Sequence, residues 1–176
     1  MQENHISTFL KQYSKDIDYM VGHPNELLGL PTGLQSLNEY LTGLRRGNLI
    51  LVAGRPCMGK TSLATNIALS VAKHFQKNEK VSNEAVLYFS LYASGITLVQ
   101  KFISCISGIS LYELTKPPKD SDTQSKIDEA ISTLSTLPLY FDFDAYGMTD
   151  VQSSIKKFSK SKKLVLLLLI SYNAWV

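Results

Sequence analysis

Apolar side chains recur along the chain at two spacings, which predict alternating helices and strands. Near the N-terminus, residues 5–21 carry apolar side chains three to four positions apart, as on a helix with one apolar stripe. Four short apolar runs predict strands, and amphipathic patterns predict helices between them. The runs are residues 48–53, 85–90, 139–143 and 162–171. The helical patterns are residues 63–75, 96–106, 121–134 and 149–158.

Strands that alternate with helices are typical of an α/β fold, with a mostly parallel sheet flanked by helices and right-handed crossovers. The run 162–171 is apolar without interruption, so we expect it to be buried on both faces of the sheet. Ser121 with Gln124 and Thr149 with Gln152 predict capping boxes at two helix starts. Gly108 is expected to end the helix before it.

A cluster of glycines and prolines separates the first helix from the rest of the chain. These residues fall between positions 22 and 33 and predict a loop or linker. We therefore expect a docking helix and loop in residues 1–26 and a compact domain in residues 27–176. The apolar stripe of residues 5–21 has two interpretations, namely packing on the chain's own domain or docking on a neighbouring subunit.

Composition narrows the class of protein. The chain has 176 residues, of which 44% are hydrophobic and 19% charged, which excludes an intrinsically disordered protein. Its net charge of +3 is too small to indicate a particular kind of partner. Two cysteines cannot form a disulfide scaffold, which favours a reducing cytosol. No run approaches a membrane span, and the first residues lack a signal-peptide pattern, so we expect a cytoplasmic protein.

One motif carries candidate chemistry. Residues 54–61 read GRPCMGKT and match GxxxxGK[ST], the phosphate-binding loop, between a predicted strand and a predicted helix. Backbone N–H groups of such a loop converge on a polyphosphate, Lys60 adds a positive charge, and Thr61 offers a hydroxyl to Mg²⁺. The residues predicted to contact nucleotide are Gly54, Arg55, Pro56, Cys57, Met58, Gly59, Lys60, Thr61 and Ser62.

Other reactive residues are open to plainer interpretations. Cys57 is either a redox sensor or a small loop residue whose backbone matters, and Cys105 is expected to lie in the core. Asp142 and Asp144 end a predicted strand, where they are either solvated or serve magnesium. The lysines at positions 156, 157, 160, 162 and 163 form either a solvated helix end or a DNA footprint.

Residues 29–68 resemble the start of the ATPase domain of DnaB-type replicative DNA helicases. The resemblance rests on the PTG of residues 31–33 and on Arg55, Pro56 and Met58, which the general loop motif does not require. It implies a RecA-like fold with an N-terminal linker helix, incomplete at the C-terminus, which binds ATP with Mg²⁺. It also implies ring hexamers that translocate on single-stranded DNA. In the family the linker helix packs on the adjacent protomer, which favours oligomer docking through residues 5–21.

The sequence departs from the family at the positions that support hydrolysis. Where the resemblance places the glutamate that activates water, this chain has Tyr92, and where it places the magnesium aspartate, this chain has Ser171. Tyrosine cannot act as a carboxylate base at neutral pH. The chain also stops at Val176, before the family's DNA-binding loops and arginine finger.

Three hypotheses follow. The first is a DnaB-like ATPase-domain protein that binds ATP but does not hydrolyse it or unwind DNA on its own. The second is an interaction module, independent of nucleotide, that docks on a helicase or self-assembles through residues 5–21. The third is an active ATPase in which Asp142 or Asp144 serves magnesium.

Overall fold

The computed structural model describes residues 5–24, 26–78, 83–90, 93–145 and 147–170, without the side chains of 166–170. The chain divides into two compact units, residues 1–48 and 49–176. The separate domain division expected from the sequence, at residue 27, stays a prediction.

The first unit contains the expected N-terminal helix, α1 (Ile6–Gly22), and a short helix, α2 (Gln35–Leu41). Helix α1 is confirmed, and none of its residues is buried. Backbone hydrogen bonds of 2.9 and 2.8 Å join Leu30 and Leu44 in an antiparallel bridge. A Cβ on Gly29 would lie 2.6 Å from the Leu44 backbone, so this crossing of two chain segments requires glycine.

The second unit is built on a parallel sheet. Strand β1 (Glu84–Ser90) lies between β2 (Leu139–Asp142) and β3 (Lys163–Ile170), in the order β2-β1-β3. Every residue of β1 is buried. These strands confirm three of the predicted apolar runs and the α/β fold class.

The prediction of a strand at residues 48–53 is wrong. The segment has no regular secondary structure, and its side chains Leu49 and Leu51 are almost fully exposed. Both edges of β1 are already paired, and no strand among the described residues pairs with the segment. An apolar run becomes a strand only when a ladder partner satisfies its backbone, and that partner is not visible in the run itself.

Five helices complete the second unit. They are α3 (Lys60–Lys77), α4 (Gly95–Ser107), α5 (Leu111–Leu114), α6 (Ser121–Thr136) and α7 (Met148–Phe158). Tyr88 of β1 packs edge-on against Phe102 of α4, on the face that also carries α3. Leu87 and Phe89 point to the opposite face, where they pack with Val151 of α7. The sheet is therefore covered on both faces, as a parallel sheet requires.

The helices form where expected, but two caps differ from the prediction. Helix α6 is capped by Asp120, whose carboxylate accepts from the Thr123 N–H at 2.7 Å, rather than by Ser121. Helix α7 begins at Met148, before the predicted Thr149, and its Asp150 side chain accepts from the N–H of residue 147 at 3.0 Å. In each case the carboxylate is the stronger acceptor for a free helix N–H.

The expectation that Cys105 lies in the core is also wrong. Helix α4 buries Leu98, Phe102 and Ile103, and Cys105 lies outside that face and is exposed. Partial desolvation nevertheless raises the pKa of its thiol, against the opposing charge of Lys73. Gly108 ends the helix in the left-handed conformation, at φ 72°, as predicted.

Candidate functional site

The candidate loop, residues 54–59, leads directly into α3. That helix is anchored by Ala68, Val71 and Ala72, which are fully buried. Gly59 precedes it with φ 82°, no side chain caps its first N–H groups, and its first turn holds no acidic residue. An uncapped helix start presents partial positive charge and is suited to an anion.

The Lys60 side chain forms hydrogen bonds with the first residues of the loop. Its Nζ donates to the carbonyl oxygens of Gly54 and Arg55, both at 2.8 Å. Among the described residues no carboxylate forms an ion pair with this ammonium group. The loop therefore encloses a positive charge that its own backbone dipoles solvate.

Two further loop residues act through their backbone. Cys57 has φ 62°, a left-handed conformation that non-glycine residues rarely adopt, and its side chain is exposed. The N–H of Met58 donates to the Arg55 carbonyl at 3.3 Å and closes a turn. These positive-φ residues curl the loop, which agrees with the interpretation of Cys57 as a small loop residue.

The first turn of α3 places Thr61 and Ser62 beside the loop. Their carbonyl oxygens accept from Thr65 Oγ1 at 2.8 Å and Asn66 Nδ2 at 2.9 Å. The Thr61 hydroxyl forms no hydrogen bond with another described residue, so it is uncommitted. A free hydroxyl at this point is a suitable oxygen ligand for Mg²⁺.

The structure gives Asp142 a structural role. Its carboxylate accepts from the N–H groups of Asp144 at 3.0 Å and Ala145 at 3.2 Å, and from the Ser154 hydroxyl. These bonds tie the end of β2 to α7. Among the described residues no group of three or more His, Cys, Asp or Glu side chains is placed to hold a metal ion.

The resemblance predicts Tyr92 and Ser171 at the family's positions for the catalytic glutamate and the magnesium aspartate. Both lie outside the described residues, and their roles stay predictions.

Some lysines of the cluster at positions 156, 157, 160, 162 and 163 have structural roles. Lys163 Nζ lies 2.8 Å from the carboxylate of the buried Glu84 and joins the starts of β3 and β1. Lys156 and Lys157 lie in the last turn of α7, where positive charge stabilises a helix C-terminus. Contact of this cluster with DNA stays a prediction. In the part of the chain that is described, no helix is long and apolar enough to cross a membrane.

Sequence reasoning missed two short helices near these elements. Helix α5 follows Ser110, whose side chain and Glu113 form a reciprocal capping box. The S-x-x-E pattern of Ser110 and Glu113 could have predicted this helix start from the sequence. The Ser110 hydrogen bonds also lower the pKa of the Glu113 carboxyl, helped by Lys119 and Lys116. Helix α2 carried only a weak signal, leucines at positions 34, 37 and 41.

Comparison with known proteins identifies a family and relatives that match most of this chain. A family model described as "DnaB-like helicase C terminal domain" matches residues 29–174. The Geobacillus stearothermophilus replicative DNA helicase DnaB is 28% identical over 165 residues, which are 93% of this chain and 35% of that protein. A probable plasmid replicative DNA helicase of Chlamydia psittaci is 35% identical over 132 residues, 74% of this chain and 27% of that protein.

Two solved structures share the fold. One is an ATPase domain that superposes with a TM-score of 0.75 at 19% identity, over 98% of this chain and 61% of that one. The other is a DnaB-like replicative helicase that superposes with a TM-score of 0.73 at 19% identity, over 99% of this chain and 42% of that one. The chain spans about a third of the length of the curated relatives.

Proposed function

The chain belongs to the family of DnaB-like helicase C-terminal domains and has their RecA-like α/β fold, and from this we propose that it binds ATP with Mg²⁺ through residues 54–62. We propose further that it neither hydrolyses ATP nor unwinds DNA on its own. Its relatives are replicative DNA helicases, so the proposed setting is DNA replication in the cytoplasm.

One observation carries the ATP-binding proposal. The positive-φ turn at Gly59 delivers the chain into an uncapped helix start, and the Lys60 ammonium lies against the loop carbonyls next to it. A polyphosphate placed there meets backbone N–H groups, a helix N-terminus and a lysine together. The uncommitted Thr61 hydroxyl fits a magnesium ion bridging two phosphates, and the ion would neutralise phosphate charge.

The proposal of absent hydrolysis rests on the residues at the family's catalytic positions. Tyr92 and Ser171 offer no carboxylate to activate water or to hold magnesium. Asp142 is a poor substitute, because its carboxylate is already bonded to Asp144, Ala145 and Ser154. These hydrogen bonds disfavour the third hypothesis in the form that uses Asp142, and the form that uses Asp144 stays a prediction.

Calorimetric titration with Mg–ATP tests the binding claim. Lys60→Ala should weaken binding at least about tenfold, because a charge-assisted contact to phosphate is lost. Lys77→Ala removes the same charge from the last turn of the same helix and should leave binding unchanged. Equal affinities of the wild type and Lys60→Ala, or no binding by either, contradict the proposal. A robust steady-state ATPase activity of the pure protein contradicts the hydrolysis claim.

A second function is favoured by α1. Its apolar stripe is exposed along the whole helix, including Ile6, Phe9 and Tyr13. An exposed stripe of this kind marks an interaction surface, either for self-assembly or for docking on a helicase. Phe9→Glu should lower the mass of any assembly measured by light scattering, whereas Lys11→Glu, outside the stripe, should not. An unchanged mass for Phe9→Glu would remove α1 from any self-assembly.

A further inference from the structure

The three parallel strands begin at one edge of the sheet, and the helices that precede them, α3, α6 and α7, end there. Glu84 of β1 lies opposite Lys163 of β3, whose N–H donates to the Asn83 carbonyl at 3.0 Å. Gln76 Nε2, in the last turn of α3, donates to Thr136 Oγ1 at the end of α6, at 2.6 Å. We call this side of the second unit, formed by the ends of the three helices and the starts of the three strands, the amino edge.

The amino edge is basic. The last seven residues of α3, of α6 and of α7 contain no acidic residue. The carboxylate of Glu84 is buried and lies 2.8 Å from Lys163 Nζ, and no described carboxylate lies within ion-pair distance of the other lysines. Glu79 and Lys80, which have opposite charges, lie outside the described residues. The lysines of this edge are residues 73 and 77 of α3 and residues 156, 157, 160, 162 and 163.

A tight turn between α7 and β3 presents part of this charge. The N–H groups of Ser161 and Lys162 both donate to the Phe158 carbonyl at 3.0 Å, and the Lys160 N–H donates to the Lys157 carbonyl at 3.3 Å. The side chains of Lys157 and Lys160 are exposed. The backbone of the turn is therefore fixed, while its ammonium groups extend into solvent.

The composition of the amino edge indicates the kind of partner that it fits. Protein interfaces are enriched in arginine and aromatic residues and depleted in lysine, and the three arginines of this chain are residues 45, 46 and 55. Binding to a lipid surface uses exposed apolar side chains, and no large apolar side chain of residues 71–77 or 152–164 is exposed. The amino edge therefore fits a polyanion that is bound through charge alone.

A nucleic-acid duplex fits this description better than a single strand does. A duplex carries one negative charge per about 1.7 Å of its axis, which is twice the density of either strand. Proteins that bind single strands add aromatic side chains on which the bases stack. At the start of β2, Tyr140 is partly exposed, but its ring packs edge-on against Phe158 at 5.0 Å. A surface without a free stacking platform favours the polyanion of higher charge density.

We propose that the amino edge binds the phosphate backbone of a nucleic-acid duplex without reading its sequence. This surface is separate from the phosphate-binding loop. Helix α3 has 18 residues and runs from the loop to the amino edge, so its two ends lie about 27 Å apart. Duplex binding is therefore a second activity, which does not depend on the proposed binding of ATP.

Fluorescence anisotropy of a labelled DNA duplex of random sequence, measured at several salt concentrations, tests the proposal. If four to six lysines contact phosphates, the logarithm of the affinity should fall against the logarithm of the salt concentration with a slope of about −4 to −5. A second duplex of unrelated sequence should bind equally well. No binding at about 50 mM salt, or a slope near zero, overturns the inference.

Two double variants locate the contact. Lys157→Gln combined with Lys160→Gln should weaken duplex binding at least about tenfold and make the slope less steep by about two. Lys116→Gln combined with Lys119→Gln removes the same charge between α5 and α6 and should change the affinity less than about twofold. Urea unfolding checks that both variants fold as the wild type does. Equal losses of affinity in the two variants, or no loss in either, overturn the inference.

Competition distinguishes the duplex from other ligands and the amino edge from the loop. A DNA single strand of the same length, and polyglutamate at the same concentration of charge, should each bind more weakly than the duplex. Saturating Mg–ATP should not displace the duplex. Tighter binding of either competitor, or displacement by Mg–ATP, overturns the inference. Failure of the protein to bind ATP in calorimetry would remove the proposed function and leave duplex binding unaffected.

Discussion

Removal of the Tyr88 hydroxyl should stabilise the protein. This group is fully buried and has no hydrogen-bond partner among the described residues, and the nearby Thr65 hydroxyl donates to the Thr61 carbonyl instead. An unpaired buried polar group costs about 1–3 kcal/mol. We expect Tyr88→Phe to raise the free energy of unfolding by about 1 kcal/mol, which is about 2–4 °C in Tm for a chain of this size.

Alkaline pH should enlarge the difference in free energy of unfolding between Tyr88→Phe and the wild type. Burial raises the pKa of Tyr88 to about 12, although the nearby Thr65 hydroxyl lowers it. Ionising the Tyr88 hydroxyl is harder in the folded protein than in the unfolded chain. The wild type therefore keeps its full free energy of unfolding below pH 10, the unfolded pKa, and loses part of it as the pH rises towards 12. At pH 11 the advantage of Tyr88→Phe should exceed its value at pH 7 by about 1.4 kcal/mol.

Urea unfolding followed by far-UV circular dichroism at pH 7 and pH 11 measures both effects. Every other residue is the same in both proteins, so its contribution cancels in the difference. Tyr140→Phe is the matched control, because this β2 side chain is partly exposed and its ring already packs on Phe158. At pH 7 it should change the free energy of unfolding by less than Tyr88→Phe does. A Tyr88→Phe protein that is less stable at pH 7, or a difference that does not grow, refutes the reasoning.

Three further changes probe other parts of the fold. Lys163→Ala removes the ammonium group 2.8 Å from the carboxylate of the buried Glu84 and should cost about 1–3 kcal/mol in urea unfolding. Gly29→Ala places a methyl group 2.6 Å from backbone atoms and should destabilise the first unit by about 1–3 kcal/mol, measured by hydrogen exchange of that unit. Asp120→Ala should lower Tm at neutral pH. The Thr123 N–H holds the pKa of the Asp120 carboxyl below its usual 3.8, so this difference should fade as the pH falls below that value.

Neighbouring positions supply the controls for these changes. Lys162→Ala should be nearly neutral, since the ammonium group 2.8 Å from the buried Glu84 belongs to Lys163. Gly22→Ala meets no atom within 4 Å and should raise helix stability by about 0.5–1 kcal/mol. If Lys162→Ala or Gly22→Ala is as harmful as its partner variant, the assigned contacts are not the cause.

Local patterns were sufficient for most elements of this protein. The spacing of apolar residues predicted α1, α3, α4, α6 and α7 and the strands β1, β2 and β3, because helical and strand periodicities are properties of neighbouring residues. The loop from Gly54 to Thr61 could be identified for the same reason, since its glycines, lysine and following helix are adjacent in the chain.

Features that depend on distant partners could not be predicted in this way. Whether residues 48–53 form a strand depends on a partner far along the chain, and the apolar run was the same in either case. The engagement of Asp142 by Ser154, and of Glu84 by Lys163, required strands and helices to be brought together first.

The sequence by itself determined the α/β class, the helices and strands with strong periodicity, and a loop chemistry suited to phosphate, because each of these is encoded within about twenty consecutive residues. Tertiary structure alone decided the strand order β2-β1-β3, the structural use of Asp142 and the exposure of Cys105. It also decided that residues 49–53 have no ladder partner among the described residues. Those properties arise from pairing and burial between segments distant in the chain, and residue periodicity carries no information about which segments meet.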